Sequence, residues 1–244
     1  MKNATLEIMR QLKLTGMADS YEAVLNLPIN QHPNSDDLLA QLLDQEQLYR
    51  SNKRMNMFIR LSKLRYNATL SDIDYSSTRK LRKEQILKLA DCSYIDRSEN
   101  IFITGSTGCG KSYLSCALGQ QACVSGYRTL YFNLTRLTEE IGLAKIDGTH
   151  IKWLNKIKKA QLVILDDFGL QPLTEQVLLS ILQILEDRYG KGSTIICSQL
   201  PVAKWHAYLS APTLADAILD RIVPHAHRME LKGKSMRKPK ELLS

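Results

Sequence analysis

The stretch ITGSTGCGKSYLS at residues 103–115 decides the fold of this chain. Gly105 is followed, after four residues, by Gly110, Lys111 and Ser112. This spacing fits G-x-x-x-x-G-K-[ST], the pattern of a loop that cradles phosphate groups with its backbone amides. A glycine-rich turn without a ligand is the alternative interpretation. The phosphate interpretation requires that a strand enters the loop and that a helix leaves it.

The sequence predicts both flanking elements. The run NIFIT at 100–104 is β-branched and aromatic, and the run at 111–126 has apolar residues at helical spacing before a closing glycine. Phosphates would then meet N–H groups at a helix N-terminus, where the helix dipole favours anions. In this interpretation Lys111 neutralises the β and γ oxygens of a nucleotide, and the Ser112 hydroxyl ligates Mg²⁺.

Strand-like and helical runs alternate from residue 100 onward. Strands are predicted at 100–104, 127–133, 161–166, 192–198 and about 227–231, with helices between them. Such alternation implies an α/β fold with a parallel five-stranded sheet that is covered by helices on both faces.

A strand that ends in two acids supplies the next part of the predicted site. The run QLVILDDFGL ends a predicted strand in Asp166 and Asp167. Asp166 is expected to hold Mg²⁺, and Asp167 to polarise an attacking water in hydrolysis. Alternatively, Asp167 only caps the following turn. The predicted nucleotide-contacting residues are Gly105, Gly108, Cys109, Gly110, Lys111, Ser112, Tyr113 and Asp166.

Polar residues near the end of the chain are further candidates. Ser198 and Gln199 end the predicted fourth strand, where either side chain could contact the γ-phosphate or the attacking water, or simply form a polar strand end. Arg221 lies on a predicted helix before the last strand. The adjacent Asp220 makes a surface ion pair the competing interpretation for this arginine.

Composition narrows the classes of protein. The chain has 244 residues, 44% of them hydrophobic, which predicts a globular protein with a sizeable core. A formal net charge of +8 favours a polyanionic partner, although solubility alone would also explain it. Five cysteines without a C-x-x-C pair indicate a reducing compartment. Because we find neither a membrane-length apolar run nor a signal peptide, the prediction is a cytoplasmic protein without a membrane partner.

Residues 1–66 contain no strand-like run and are predicted to be helical. Gly16 is expected to end the first helix and Pro28 to follow the second. Ser35 is expected to cap a long third helix that continues to Arg65.

The second half of this third helix is strongly basic. The segment 50–65 contains six basic residues and no acid, and aromatic and apolar residues are interleaved with them. Such a helix can lie along a phosphate backbone without reading sequence, whereas a solvated bundle face is the alternative. The exclusion of acids favours DNA binding. The predicted DNA-binding residues are Arg50, Lys53, Arg54, Arg60, Lys63 and Arg65.

The order of these motifs resembles a known family. The runs NIFITGSTGCGKSYLS, GYRTLYFN, QLVILDDFGL, TIICSQLP and ADAILDRI are similar to those of AAA+ ATPases of the initiator and helicase-loader branch. They look most similar to the IstB-type transposition helper proteins of bacterial insertion sequences, and the N-terminal run LKLTGMADSYEAVL matches that family's style. The resemblance covers nearly the whole chain.

The resemblance implies a P-loop NTPase of the AAA+ class that binds ATP and Mg²⁺. It implies an assembly that engages target DNA and delivers it to a partner transposase, with contacts between identical subunits through the ATP site. Arg221 would match the arginine finger that completes the ATP site of a neighbouring subunit. Gln199 falls at the position of a sensor residue that is commonly Asn in the family.

The resemblance also organises the chain. The expected parts are a helical DNA- or partner-binding domain, a connector, the ATPase domain and a basic tail, at 1–66, 67–99, 100–232 and 233–244. No C-terminal helical lid is expected after the last strand. Arg237 lies in a segment similar to the family's closing G-x-S-x-R element, where it contacts nucleotide or DNA or belongs to a basic tail.

The predicted function is therefore ATP hydrolysis coupled to assembly on double-stranded DNA of largely any sequence. A DnaC-like replicative helicase loader is the nearest alternative, because it would share the ATPase core and differ in its partner. A nucleotide or small-molecule kinase and a DNA-binding scaffold with a vestigial ATP site are the remaining alternatives. The paired acids and the basic helical segment favour an ATPase over a kinase.

Overall fold

The chain divides into two units, one that ends at Met57 and one that begins at Phe58. The computed structural model describes residues 2–75, 80–233 and 235–236, with backbone alone for residues 2 and 3. No helix in these described ranges has the length and apolar character needed to cross a membrane.

The first unit is helical, as predicted. It contains α1 (Lys2–Gln11), α2 (Thr15–Leu25), a 3-10 turn at Ile29–Gln31 and the greater part of α3 (Ser35–Ser62). The expectation that Gly16 ends the first helix is wrong, because Gly16 lies inside α2. It packs so closely on α3 that a Cβ would come within 2.5 Å of the Gln45 carbonyl oxygen. The glycine therefore permits close approach of two helices.

The two ends of α3 differ from the sequence prediction. Asn34, and not Ser35, caps the helix, since its Oδ1 accepts a hydrogen bond from Asp37 N at 2.9 Å. The helix ends at Ser62 and not at Arg65. Lys63 then adopts a left-handed conformation with φ of 55°, which turns the chain out of the helix.

The second unit contains a five-stranded sheet with strand order β2-β3-β4-β1-β5, and every pair of neighbours is parallel. The strands are β1 (Ile101–Gly105), β2 (Thr129–Asn133), β3 (Leu162–Phe168), β4 (Ser193–Ser198) and β5 (His227–Leu231). Each lies within two residues of its predicted bounds, so the predicted parallel α/β sheet is confirmed.

Eight helices accompany the sheet within the described ranges: α4 (Lys83–Ala90), α5 (Ser93–Asp96), α6 (Lys111–Val124), α7 (Leu134–Ile146), α8 (His150–Lys158), α9 (Glu175–Arg188), α10 (Trp205–Leu209) and α11 (Pro212–Ile222). Short 3-10 turns lie at Leu70–Asp72 and Val202–Lys204.

Side-chain alternation along the strands builds two cores, one on each face of the sheet. On β1, Ile101 and Ile103 face a core that includes α6, whereas Phe102 faces a core that includes α7, α9 and α11. The same alternation on β3 places Ile164 in the first core and Leu165 in the second. A parallel sheet that is buried on both faces is thereby covered by apolar side chains throughout.

Residues that the sequence assigns to a connector contribute to the first of these cores. Ile86 and Leu89 of α4 and Tyr94 of α5 are each no more than 2% exposed. They pack in one cluster with residues of α6 and the sheet. The segment between the long helix and β1 is therefore part of the folded second unit.

Candidate nucleotide-binding site

The glycine-rich loop lies between β1 and α6, as the sequence predicts. Gly110 is the residue before α6 and Gly108 has φ of 80°, a conformation that side chains disfavour. A Cβ on Gly108 would lie 2.2 Å from the Ser235 hydroxyl oxygen. The position therefore requires glycine for its backbone conformation and for the approach of the segment that covers it.

The Lys111 side chain folds back onto this loop. Its ammonium donates hydrogen bonds to the carbonyl oxygens of Gly105 and Ser106, both at 2.9 Å. The residue is only 7% exposed, and within the described ranges its ammonium forms no ion pair, so the two carbonyl dipoles are its direct partners. A phosphate would be a stronger partner than either carbonyl, because it adds a full negative charge opposite the ammonium where a carbonyl supplies only a dipole.

A cavity of about 360 Å³ adjoins the loop. This volume lies within the range of small-molecule sites. Its walls include seven residues that the sequence predicts for the site, namely Gly108, Gly110, Lys111, Ser112, Tyr113, Asp167 and Gln199. Three other predicted residues do not line it: Gly105, Cys109 and Asp166. Cys109 is 1% exposed and packs in the core, so its side chain is not available to a ligand.

An irregularity in β3 separates the two acids. Leu165 pairs with Ile196 of β4 and Phe168 pairs with Ser198, so that Asp166 and Asp167 together face a single residue of β4. This is the pattern of a β-bulge, which re-aims side chains. Asp167 has φ of 61°, a left-handed conformation that Asp tolerates better than most residues. As a result, Asp167 reaches the cavity wall while Asp166 is fully buried.

Hydrogen bonds fix both carboxylates. Asp166 accepts from the Tyr131 hydroxyl at 2.6 Å and from the Asp167 backbone N–H at 2.9 Å. Asp167 accepts from the Asn133 side-chain amide at 2.6 Å. Because β2 and β3 are neighbours, the donors at the end of β2 lie directly beside the acids of β3.

Burial raises the pKa of the Asp167 carboxyl, and the neighbouring Asp166 carboxylate adds to this rise. Arg65, Asn133 and Lys111 oppose it, and the net direction is upward. Burial and Asp166 also raise the pKa of Tyr131, so that its hydroxyl stays a hydrogen-bond donor. The Asp167 carboxylate, which faces the cavity, is therefore a stronger base than the carboxylate of an exposed aspartate.

Comparison with known proteins identifies the family. The model of the IstB-like ATP binding protein family matches residues 7–244. The chain belongs to this family. The resemblance noted in the sequence is confirmed, and with it the P-loop AAA+ class of the fold.

Similar proteins agree with this assignment. An insertion sequence ATP-binding protein of Sinorhizobium fredii is 42% identical over 96% of this chain and 96% of its own length. Among solved structures, DnaI matches with a TM-score of 0.58 at 21% identity, over 72% of this chain and 94% of that one. The DnaC helicase loader matches with a TM-score of 0.54 at 20% identity, over 68% and 98%. At these identities the two structures show that the fold is shared.

The two polar residues at the end of β4 have different surroundings in this IstB-like protein. The Ser198 hydroxyl donates to the Phe168 carbonyl at 2.6 Å and accepts from Leu200 N at 3.0 Å, so it closes the turn after the bulge. Gln199 lines the cavity, and its side-chain carbonyl accepts a hydrogen bond from the Thr107 hydroxyl at 2.9 Å. Gln199 is therefore the member of the pair that lies next to the phosphate-binding loop.

Arg221 lies at the opposite end of the sheet from that loop. The carbonyl oxygen of the next residue, Ile222, accepts a hydrogen bond from Asn100 at 3.0 Å, and Asn100 directly precedes β1. The loop follows the other end of β1. Arg221 forms an ion pair with Glu186 of α9, so the acid expected as its partner, Asp220, is replaced by one from another helix.

The predicted DNA-binding residues divide between the two units. In the first unit, Arg50 pairs with Glu46 at 2.7 Å and the Lys53 ammonium lies 5.7 Å from the centre of the Tyr49 ring. Arg54 is exposed in the same unit, and Arg60 and Lys63 are exposed in the second. Arg65 is also exposed in the second unit, but it alone among these six residues forms an ion pair with the predicted site, 3.8 Å from the Asp167 carboxylate.

Sequence reasoning missed several residues of the site. Tyr66, the last residue of the predicted helical domain, lines the cavity together with Asp72 and Asp74 of the predicted connector. The ring centroids of Tyr66 and Tyr113 lie 6.0 Å apart. No motif marks Tyr66, Asp72 or Asp74. Asn133 was identifiable in principle, because it is polar and ends a parallel strand, at the edge where ligands of such sheets bind.

The tail contributes one described residue to the cavity. Met236 lines it and donates a backbone hydrogen bond to the Gly108 carbonyl at 3.0 Å. The predicted contact of Arg237 lies outside the described residues, as does most of the basic tail.

Proposed function

We propose that this protein is an ATP-dependent DNA-binding transposition helper of a bacterial insertion sequence. It binds ATP in the cavity at the glycine-rich loop, assembles with identical subunits on double-stranded DNA and delivers the DNA to a partner transposase. The observation that supports hydrolysis is the bulge in β3, which puts Asp167 on the wall of the cavity formed by the loop, and the family match over residues 7–244 supports the link to insertion sequences. A protein that only bound nucleotide would not need an acid there.

Lys111 has the first role in this proposal. In the presence of ATP, its ammonium leaves the carbonyl oxygens of Gly105 and Ser106 and pairs with the β and γ phosphates. The amides of residues 108–111 cradle the same phosphates at the start of α6. Tyr66 and Tyr113 form part of the cavity wall that remains for the rest of the nucleotide.

The donor set suits Mg²⁺. The Ser112 hydroxyl lines the cavity and would be an oxygen ligand, whereas the buried Asp166 carboxylate would act through one of the several waters that Mg²⁺ keeps. The hydrogen bonds from Tyr131 and from the Asp167 backbone hold the Asp166 carboxylate in place. When bound, Mg²⁺ neutralises charge on the phosphates during hydrolysis.

Asp167 is the proposed general base. It takes a proton from a water molecule that attacks the γ-phosphorus, and the bond between that phosphorus and the bridging oxygen of ADP breaks. The products are ADP and inorganic phosphate. Gln199 lies at the loop, where its amide can orient the attacking water.

Arg221 acts on a neighbouring subunit in this proposal. Its place at the far end of the sheet keeps it from the nucleotide of its own chain, so it can complete only an ATP site that another chain presents. Hydrolysis then requires assembly, and the arginine contributes about 10³ to 10⁵ in turnover as in other ATPases and GTPases.

DNA is the proposed polyanion. Arg50, Lys53, Arg54, Arg60, Lys63 and Arg65 neutralise backbone phosphates, which gives salt-dependent affinity with little preference for sequence. A DNA-bound helper of this kind acts in the cytoplasm of a bacterium.

A helicase loader is the second candidate, because the folds of DnaI and DnaC are similar to this one. The 42% identity to an insertion-sequence protein, over nearly the full length of both chains, favours transposition.

Co-sedimentation separates the two functions. The ATP-bound protein is incubated with DNA and either the transposase of its insertion sequence or a replicative helicase. We expect the transposase alone to sediment with the protein, and only when ATP is present. Retention of the helicase in place of the transposase would establish the loader function and refute transposition.

A further inference from the structure

The conformation at the end of α3 holds Arg65 beside Asp167, the proposed general base. The Ser62 hydroxyl donates to the Ile59 carbonyl at 2.7 Å in the last turn, and Lys63 takes the left-handed conformation that ends the helix. Leu64 then packs against the core beneath α6. This anchoring directs the next residue, Arg65, to the carboxyl ends of β2 and β3.

Two donors converge on one oxygen of Asp167. The Asn133 amide nitrogen lies 2.6 Å from Oδ2 and an Arg65 guanidinium nitrogen lies 3.8 Å from the same atom. The guanidinium also lies 5.4 Å from the centre of the Tyr66 ring. The carboxylate is therefore restrained by a short hydrogen bond and by a longer ion pair.

A second cavity, of about 540 Å³, opens on this ion pair. Asp167 is the one residue that lines both this cavity and the cavity at the glycine-rich loop, as far as the described residues go. The second cavity is lined by Lys63, Leu64, Arg65, Tyr131, Phe132, Asn133, Arg136, Glu140 and Asp167. The acid thus forms a wall between two spaces.

The charges around the second cavity favour an anion. Three basic side chains face two acidic ones, and within the described ranges neither Lys63 nor Arg136 forms an ion pair. Glu140 is already engaged, because its carboxylate accepts from the Trp153 indole N–H at 3.2 Å. An anion that entered would meet two basic groups with no competing partner.

The ion pair between Arg65 and Asp167 is long and partly exposed. The 3.8 Å distance between Arg65 and Asp167 is too long for a hydrogen bond, and the Arg65 side chain is 43% exposed. Ion pairs of this exposed kind contribute little stability. A phosphate that entered the cavity could approach the guanidinium closely enough to form the two parallel hydrogen bonds that the 3.8 Å pair with Asp167 lacks.

We propose that the second cavity binds a phosphate group of a DNA backbone and that Arg65 then moves from Asp167 to this phosphate, which leaves the carboxylate held by Asn133 and makes it more available for hydrolysis. The inference rests on the proposed function and adds to it a route from DNA to the ATP site. Without DNA, Arg65 restrains Asp167. Arg65 is a positioning residue, because it acts on the reaction through Asp167.

Replacement of Arg65 tests the restraint. We expect Arg65→Gln to raise the DNA-free kcat for ATP hydrolysis by about twofold to fivefold, the range that an exposed ion pair supports. The KM for ATP should stay unchanged, since Arg65 does not line the nucleotide cavity. Stimulation by DNA, measured as the ratio of the two rates, should fall by a similar factor. Arg65→Lys keeps the charge and should retain most of the restraint.

Replacement of Arg136 tests the phosphate site. Arg136→Gln should raise the DNA concentration for half-maximal stimulation by about threefold or more, because one phosphate contact is lost. Arg228→Gln is the matched control, since Arg228 is an exposed arginine of β5 that lines neither cavity. Arg228→Gln should leave the DNA concentration for half-maximal stimulation unchanged, and with it the rates of hydrolysis with and without DNA.

Inorganic phosphate in place of DNA distinguishes the source of the anion. We expect no stimulation by millimolar phosphate, because a free anion lacks the many other contacts that hold DNA. Stimulation by phosphate alone that Arg65→Gln abolishes would overturn the assignment to DNA.

The response of wild-type ATP hydrolysis to DNA distinguishes a failure of the proposed function from a failure of the inference about Arg65. If the wild-type protein hydrolyses no ATP with DNA, the proposed function and this inference both fail. If its hydrolysis responds to DNA but Arg65→Gln lowers both rates in proportion, or changes neither, the proposed function stands and the inference fails.

Discussion

Asp166 and Asp167 are adjacent in the sequence, yet their side chains have different surroundings. Asp166 is fully buried and bonded to Tyr131, whereas the Asp167 side chain is 23% exposed on the cavity wall. The sequence predicted two acids at the end of a strand but not the bulge that separates them. A bulge depends on strand pairing with β4, which a single run of residues does not reveal. The different surroundings of the two acids are therefore a tertiary property.

Asp167→Asn tests the proposed base. Asn also tolerates a left-handed backbone, so the bulge should persist and ATP affinity should be retained. We expect kcat to fall by about 10² to 10⁴, the usual contribution of a general base. Steady-state hydrolysis and equilibrium ATP binding measure the two quantities. Full activity in this variant would mean that Asp167 only shapes the turn.

Lys111→Ala tests the phosphate-binding loop. The variant loses the only lysine that lines the described cavity, and we expect ATP affinity to fall by about tenfold or more, as for a lost charge-assisted hydrogen bond. Titration with a fluorescent ATP analogue checks this. Lys156→Ala, an exposed position on α8, is the control and should bind normally. Equal affinities for the two variants would contradict the placement of the phosphates.

At the scale of elements, the sheet was predictable and the segment before it was not. Apolar runs with polar ends placed all five strands within two residues, because a doubly covered parallel strand must be apolar throughout. Residues 67–99 have little apolar periodicity outside α4, so they looked like a connector. In the structure they supply buried side chains of the core and, with Asp72 and Asp74, a wall of the cavity. Such contacts are set by long-range packing and leave no local pattern.

Leu89→Ala tests whether α4 stabilises the ATPase unit. Leu89 is 2% exposed in the core, and we expect a loss of about 2 to 5 kcal/mol in the free energy of unfolding. Leu87→Ala on the same helix is the control, since Leu87 is 59% exposed. Urea unfolding with a probe in the sheet measures both variants. Equal midpoints for the two would show that α4 does not support the core.

At the scale of the whole molecule, the proposed function divides each ATP site between two chains. The loop and Asp167 lie at the carboxyl ends of the strands, and Arg221 lies at the amino end of β1. The sequence placed Arg221 on the correct helix but named the wrong acid beside it, because Glu186 comes from a helix distant in sequence. If Arg221 takes part in hydrolysis, as we propose, a complete site requires a second subunit.

Mixing of two inactive variants tests this arrangement. Arg221→Ala and Asp167→Asn should each lose turnover alone, by about 10³ or more for the arginine. In mixed assemblies some interfaces join an intact Asp167 to an intact Arg221, so activity should return. Glu186→Gln removes the same ion pair but keeps the arginine, and it should stay active. If the mixture stays inactive while both variants still assemble, Arg221 does not act between subunits.

Assembly on DNA driven by ATP is tested most directly by ATP hydrolysis of the full chain, measured with and without double-stranded DNA of arbitrary sequence. Particle size is followed in the same samples, and Lys111→Ala serves as the blank. We expect ATP to produce larger particles on DNA and the turnover rate to rise with particle size, while Lys111→Ala shows neither effect. A protein that stays monomeric with ATP and DNA, and whose rate of ATP hydrolysis does not change with DNA, would contradict the proposed assembly.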